Sequence, residues 1–171
     1  MVSAFEQRRF AGVVLVVLVF DLVTKFAAEA FLPRWVGVSI IGEFFQLRLV
    51  YNPGAAFGIG VGSYSRWVFM GLSLAALVVL GSMLRGTRSG DWLRLHSLAL
   101  IFAGAAGNLI DRIRSARGVV DFLDFTFGSY HFPTFNVADM GVSCGAFLLA
   151  VSLWIEGRQQ AVQESAPPAA P

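Results

Sequence analysis

Aspartates within or beside apolar segments are the residues of this chain best suited to chemistry. Two carboxyl groups about 3–5 Å apart do not both ionise, so one acts as an acid while the other acts as a base. Asp139 follows Asn136 on one face of an apolar helical segment. Asp121 lies among apolar neighbours in a predicted loop, with Asp124 three residues later as its rival. We predict an aspartate pair that activates water, and we expect Asp124 to be a solvated interfacial residue.

Other charged residues recur at helical spacing. Asp21, Lys25 and Glu29 are four residues apart in turn, so they share one helix face, and Asp21 and Lys25 are predicted to form an internal ion pair. Asp111 and Arg112 are predicted to form a second pair that closes the end of the third apolar segment. Charged groups within a membrane are costly and mark a functional site by default.

The composition is that of a membrane protein. Of the 171 residues, 56% are hydrophobic and 14% are charged, whereas a soluble domain has about 25% charged residues. Segments at about 10–32, 66–84, 93–113 and 135–155 are long enough to span a bilayer. We predict an all-α integral membrane fold, a four-helix transmembrane bundle. The net charge of +2 does not indicate nucleic-acid binding.

Four spans joined by short loops alternate in direction, which brings polar residues from three spans into one leaflet. These residues are Asp21 and Lys25, then Asn108, Asp111 and Arg112, then Asn136 and Asp139. Arginines divide evenly between the two sides, and their density weakly favours both termini in the cytoplasm.

Two segments outside the spans have structure of their own. Residues 44–51 are β-branched and aromatic and are predicted to form a strand, which ends at the turn Asn52-Pro53-Gly54. We expect a small extracytoplasmic β-cradle between the first two helices, with apolar residues 55–60 near membrane or substrate. Residues 115–133 are predicted to be an aromatic interfacial loop. Residues 1–158 are predicted to form one domain and 159–171 a disordered cytoplasmic tail.

Five segments together match one known family in order and spacing. They are Asp21-Leu22-Val23-Thr24-Lys25, Val50-Tyr51-Asn52-Pro53-Gly54-Ala55-Ala56-Phe57, Gly104-Ala105-Ala106-Gly107-Asn108-Leu109-Ile110-Asp111-Arg112, Val119-Val120-Asp121-Phe122 and Phe135-Asn136-Val137-Ala138-Asp139. On these segments the chain resembles the lipoprotein signal peptidases, or signal peptidase II, which are membrane aspartyl proteases of bacteria.

The resemblance implies that Asp121 and Asp139 are the catalytic pair and that no metal or cofactor is needed. The implied substrates are prolipoproteins, cut just before a diacylglyceryl-modified cysteine near the outer face of the cytoplasmic (inner) membrane. Membrane lipids are implied as neighbours and cyclic lipopeptides such as globomycin as inhibitors. Residues expected to bind substrate or support the site are Asp21, Lys25, Asn52, Gly54, Asn108, Asp111, Arg112 and Asn136. Of these, Asn108, Arg112 and Asn136 are expected to hold the substrate backbone.

Three other functions fit the polar residues less well. A proton-coupled carrier more often has a polar path through both leaflets, or inverted repeats. A magnesium-dependent enzyme acting on lipid headgroups needs clustered carboxylates, for which Asp121 and Asp124 are the candidates. A purely structural protein would have little use for Asn136 and Asp139 within an apolar helix.

Overall fold

Four long helices form most of the computed structural model, which describes residues 2–34, 36–54 and 62–165. They are α1 (Ala4–Phe31), α2 (Ser65–Gly86), α3 (Trp92–Arg114) and α4 (Val137–Ser165). Each is long and apolar enough to cross a membrane. Many of their large apolar side chains are exposed, as contact with lipid requires. The predicted four-helix membrane fold is confirmed.

The helices are longer than the apolar segments that predict them. Helix α4 continues to Ser165, so residues 159–165 are helical where the sequence predicts the start of a disordered tail. A polar helix end of this kind lacks the hydrophobic signal that marks a span. Residues 166–171, and the apolar segment 55–60 expected near membrane or substrate, lie outside the described residues.

Helix α1 begins at a capping box that also contacts the turn between α2 and α3. The Ser3 hydroxyl accepts the Glu6 backbone N–H (3.3 Å), and the Glu6 carboxylate accepts the Ser3 N–H (2.6 Å). The same carboxylate accepts the Ser89 hydroxyl (2.9 Å) and the Gly90 N–H (2.7 Å). Glu6 therefore ties the start of α1 to the rest of the bundle.

Small residues let α3 and α4 approach closely. Ala103, Gly104 and Gly107 of α3 are buried, and a Cβ added at Gly104 would clash with the Ala138 carbonyl oxygen of α4. Such contacts are a common basis of helix association in membranes. They bring Asn108, the next residue of α3, against the start of α4.

A four-stranded antiparallel sheet lies at the end of the bundle where α1 and α3 finish and α4 begins. Its strands are, in spatial order, β1 (Val38–Ile41), β2 (Phe45–Asn52), β3 (Val119–Phe127) and β4 (Tyr130–His131). Strand β2 and the cradle between α1 and α2 agree with the prediction.

The predicted loop at 115–133 is wrong in part, because it contains β3 and β4. Two aspartates interrupt the apolar run of β3, and the strand becomes evident only through its pairing with β2, from Asn52 opposite Val119 to Phe45 opposite Phe125. Val120 and Phe122 are buried in a small core against α1. The residue between them, Asp121, points to the opposite face because side chains alternate along a strand.

Candidate active site

The two aspartates predicted to be catalytic come from different elements and meet at Asn136. Asp121 is the third residue of β3 and Asp139 is the third residue of α4. The Asn136 side-chain amide donates to Asp121 Oδ1 (2.6 Å), and its backbone N–H donates to Asp139 Oδ2 (3.2 Å). One residue therefore contacts both carboxyl groups, which we call the aspartate pair.

Asn136 also caps the N-terminus of α4. Its Oδ1 accepts the Asp139 backbone N–H (3.0 Å), while Asp139 Oδ2 accepts the Asn136 N–H, the reciprocal pattern of a capping box. The first turn of a helix is a favourable place for a carboxylate, since unpaired N–H groups point toward it. The cap therefore fixes the side chain of Asp139 as well as the start of the helix.

Asn108 joins the aspartate pair to a buried lysine. Its Nδ2 donates to Asp139 Oδ1 (2.8 Å), and its Oδ1 accepts from Lys25 Nζ (3.0 Å) and from the Asn136 amide (3.3 Å). Both ends of the Asn108 amide are thus used inside the site. The expectation that Asn108 and Asn136 bind the substrate backbone stays a prediction.

Lys25 is 1% exposed and lies between two aspartates of the helix bundle. Its Nζ is 2.8 Å from Asp21 Oδ2 and 3.0 Å from Asp111 Oδ2, so the predicted pair of Asp21 and Lys25 is confirmed. The predicted pair of Asp111 and Arg112 is wrong, because adjacent residues on a helix do not face each other. Asp111 contacts Lys25 and Arg114 (3.3 Å) instead.

The carboxylates on either side of Lys25 each hold the backbone beside one member of the aspartate pair. Asp21 Oδ1 accepts the N–H of Ala138 (2.8 Å), the residue before the α4 aspartate. Asp111 Oδ2 accepts the N–H of Val120 (3.2 Å), the residue before the β3 aspartate. We call Asp21, Lys25 and Asp111 the ion cluster. Through these two backbone hydrogen bonds the ion cluster fixes the positions of both members of the aspartate pair.

Asp121 sits in surroundings that favour its protonated form. It is 2% exposed. Burial, followed by the nearby charge of Asp139, raises the pKa of Asp121 from its ordinary 3.8 to about 7, against hydrogen bonds from Asn136 and Asn52 that lower it. Near neutral pH this carboxyl group is therefore able to donate a proton.

The predicted turn at residues 52–54 supports Asp121 from the sheet. The Asn52 side chain hydrogen-bonds to Asp121, and its Oδ1 accepts the Gly54 N–H (3.0 Å). Gly54 has a φ of +117°, and a Cβ there would meet the Phe69 ring. Gly54 therefore lets the chain turn close to α2.

Arg112 lies near the aspartate pair, and the members of the pair interact with it electrostatically. Its Nη1 donates to the Asn108 carbonyl (3.1 Å), and its guanidinium carbon is 5.5 Å from the centroid of the Phe69 ring. Its buried Nε has no hydrogen-bond partner among the residues that the structure describes. That N–H is a donor that no described residue uses.

Asp124 is buried, contrary to the expectation that it is solvated. It is 2% exposed, with Oδ2 3.0 Å from Arg48 Nε and Oδ1 2.6 Å from His131 Nε2. Residues three apart on a strand face opposite sides, so Asp124 points away from Asp121. These two residues do not form the carboxylate cluster that a magnesium enzyme would need. Within the described ranges, no three His, Cys, Asp or Glu side chains are grouped as a metal site requires.

The family model described as signal peptidase (SPase) II matches residues 13–155. The lipoprotein signal peptidase of Oleidesulfovibrio alaskensis is 42% identical over 141 residues, covering 81% of this chain and 89% of that protein. The one from Hydrogenovibrio crunogenus is 42% identical over 149 residues, covering 85% and 86%.

Two solved structures, both described as bacterial membrane enzymes studied by the in meso method, are similar in fold. Their TM-scores are 0.78 and 0.76 at 26% and 30% identity. The first match covers 95% of this chain and 94% of the other, and the second covers 85% and 92%. Together with the match to the family model, these similarities confirm the resemblance. The chain belongs to the signal peptidase II family of multi-pass membrane proteases, which process the signal peptides of prolipoproteins.

Proposed function

We propose that this chain is an aspartyl endopeptidase that cuts a prolipoprotein just before its diacylglyceryl-modified cysteine. The observation that best supports the aspartyl mechanism is the contact of Asn136 with both Asp121 and Asp139. It holds two carboxyl groups together in different environments, one buried on strand β3 and one at the N-terminus of α4. Such a difference separates an acid from a base within one pair.

In the proposed reaction, Asp139 is the base and Asp121 is the acid. Asp139 takes a proton from water as the water oxygen bonds to the scissile carbonyl carbon, and Asp121 donates its proton to the carbonyl oxygen. The intermediate then collapses: the carbonyl re-forms and returns that proton to Asp121 as the carbon–nitrogen bond breaks, and Asp139 passes its proton to the leaving amine. One water is consumed and both groups are restored, without a metal or cofactor.

Arg112 is the residue that we propose to hold the substrate backbone. Carbonyl groups of an extended peptide in lipid need donors from the protein, and the Arg112 Nε–H is buried and unpaired within the part of the chain that the structure describes. Asn108 and Asn136 are proposed to position the aspartate pair. The acyl chains of the substrate would lie between the helices and the membrane lipids, where cyclic lipopeptides such as globomycin would compete.

We propose further that the sheet end of the bundle faces the outside of the cytoplasmic membrane, with both termini in the cytoplasm. All the polar residues of the site lie at this end, where α1 and α3 finish and α4 begins. In this orientation the aspartate pair and the lipidated cysteine of a precursor share the outer leaflet.

Two forms of one prolipoprotein test this function, one with the diacylglyceryl group and one without it. We expect the purified chain to cut only the lipidated form, and mass spectrometry to find the modified cysteine at the new N-terminus. Equal cleavage of the unlipidated form, or cleavage at another bond, would contradict the proposed specificity.

The cleavage rate is expected to fall above neutral pH. Asp121 must hold its proton in the free enzyme, and its raised pKa of about 7 means that the proton is lost above this value. Above that pKa, kcat/KM should fall by about tenfold per pH unit, since this ratio reports groups of the free enzyme. A pH profile of kcat/KM checks this, and a level profile to about two units above neutrality would be inconsistent with Asp121 as the acid.

The pH dependence of the folding stability provides a second measurement of the protonation of Asp121. A carboxyl group whose pKa rises on folding stabilises the folded state fully below its unfolded pKa, and this contribution disappears as the pH rises through the folded pKa of about 7. The wild type should therefore lose stability relative to Asp121→Asn as the pH rises from the ordinary pKa of 3.8 to the folded pKa of about 7, with little further change above it. Parallel stability curves over that range would show that folding does not raise the pKa of Asp121.

A further inference from the structure

An arginine-lined cleft lies beside the sheet, and none of its lining residues belongs to the site described above. It has a volume of about 410 Å³ and is lined by Arg34, Arg48, Leu49, Val50, Tyr51 and Arg117. We call it the arginine cleft. The three arginines come from the segment after α1, from β2 and from the connection between α3 and β3. A bridge between Arg34 and Leu49 holds the first of these segments along β2.

The carboxylates next to the cleft are already engaged by several partners. Asp124 contacts both Arg48 and His131. Glu29 contacts Arg114 (2.8 Å) and, at a longer distance, Arg117 (3.4 Å). It also accepts the Tyr51 hydroxyl (3.0 Å).

The arginines consequently outnumber the acids at the arginine cleft. The Arg34 side chain forms no ion pair or hydrogen bond within the described residues, although it lies close enough to Tyr51 for an electrostatic effect. The Arg117 guanidinium carbon lies 3.9 Å from the centroid of the Tyr51 ring. Arg34 and Arg117 are exposed. Their unused N–H groups can therefore bind an anion that enters the cleft.

The arginine cleft lies near exposed apolar residues at the end of a candidate membrane span and just after it. Phe31, the last residue of α1, is 83% exposed, and Val36 is 60% exposed. Helix α1 is long and apolar enough to span a membrane, and Arg34 follows its end by three residues. Arg34 is thereby placed at the depth of the lipid headgroups, where basic and aromatic side chains concentrate.

We propose that the arginine cleft binds the phosphate of an anionic glycerophospholipid from the surrounding membrane. Guanidinium groups match phosphate oxygens in a forked, two-bond geometry. The apolar floor of Leu49 and Val50 suits the glycerol and the first methylene groups. Because Val50 pairs with Asp121 across β2 and β3, the bound lipid braces the strand beside the aspartate pair. This proposal does not rest on the proposed peptidase reaction.

Lipid retention by the full chain in detergent tests the proposal. Phosphatidylglycerol is the anionic probe, phosphatidylcholine is the zwitterionic control, and native mass spectrometry counts the bound lipid. We expect Arg34→Gln/Arg117→Gln to bind phosphatidylglycerol at least about tenfold more weakly than the wild type, with little change for phosphatidylcholine. The matched control is Arg85→Gln/Arg88→Gln, which removes two exposed arginines at the other end of the bundle and should retain the lipid.

Several outcomes would overturn the proposal. One is equal retention of phosphatidylglycerol by Arg34→Gln/Arg117→Gln and the wild type, and another is equal retention of both lipids by the wild type. Competition by inorganic phosphate as strong as that by the lipid would assign the cleft to a free anion, and preference for an acidic peptide would assign it to protein. An Asp121→Asn variant should still bind the lipid, so failure of the peptidase proposal is distinguishable from failure of this one.

Discussion

Lys25→Met is expected to remove much of the stability of this protein. Lys25 is 1% exposed, and its ammonium group lies within 3.0 Å of carboxylate oxygens of both Asp21 and Asp111. Methionine fills similar space but leaves the buried carboxylate of Asp21 without a cation and that of Asp111 with Arg114 alone, at 3.3 Å. Removing one partner of a buried ion pair costs about 3–5 kcal/mol. Denaturant unfolding in detergent micelles measures the loss.

Two further variants separate the charge effect from a packing effect. Asp21→Asn/Lys25→Met should recover part of the lost stability, because it neutralises one of the buried carboxylates. Arg94→Met breaks the Arg94–Glu156 pair, whose side chains are 19% and 32% exposed, at the other end of the bundle, and should cost about 1 kcal/mol or less. A Lys25→Met variant as stable as Arg94→Met would contradict the role given to the ion cluster.

Local patterns in the sequence predict the features that depend on local geometry. Apolar length predicts the four spans, since a helix must satisfy its own backbone in lipid. The four-residue interval between Asp21 and Lys25 predicts their ion pair, because such residues are neighbours on a helix. The strand β2 is likewise predicted from its β-branched and aromatic residues.

Contacts between distant elements are the features that the sequence could not predict. The strand β3 depends on pairing with β2, and the burial of Asp124 depends on Arg48 and His131, which lie on neighbouring strands. Asp111 also pairs with Lys25, which lies on another helix. Each of these contacts requires the bundle to be assembled, so no interval within one segment indicates it.

At the site, too, the sequence does not predict the contacts that Asn108 and Asn136 make with distant elements. The resemblance selects Asn108 and Asn136, but their hydrogen bonds reach Lys25, Asp121 and Asp139 from three other elements. One local signal for Asn136 was available, since Asn three residues before an acidic residue at a helix start is typical of a cap. That signal identifies the N-cap of α4 without indicating its contact with Asp121.

Asp121→Asn and Asp139→Asn are each expected to lower the cleavage rate by about 10²–10⁴-fold. This is the range that a positioned acid or base contributes, and an amide can neither donate the required proton nor accept one from water. Asp124→Asn is the matched control: it makes the same change at an equally buried residue of β3 and should retain most of the wild-type rate. Unfolding curves for all three variants establish that each is folded.

The measurement that tests the aspartyl mechanism most directly is the initial rate of cleavage of a lipidated prolipoprotein in excess metal chelator. It compares the wild type with Asp121→Asn, Asp139→Asn and Asp124→Asn. We predict full activity of the metal-depleted wild type and loss of activity only in the two variants of the aspartate pair. Near-normal activity in either of those variants, or a wild type that cleaves only after magnesium or zinc is restored, would contradict a metal-free reaction at Asp121 and Asp139.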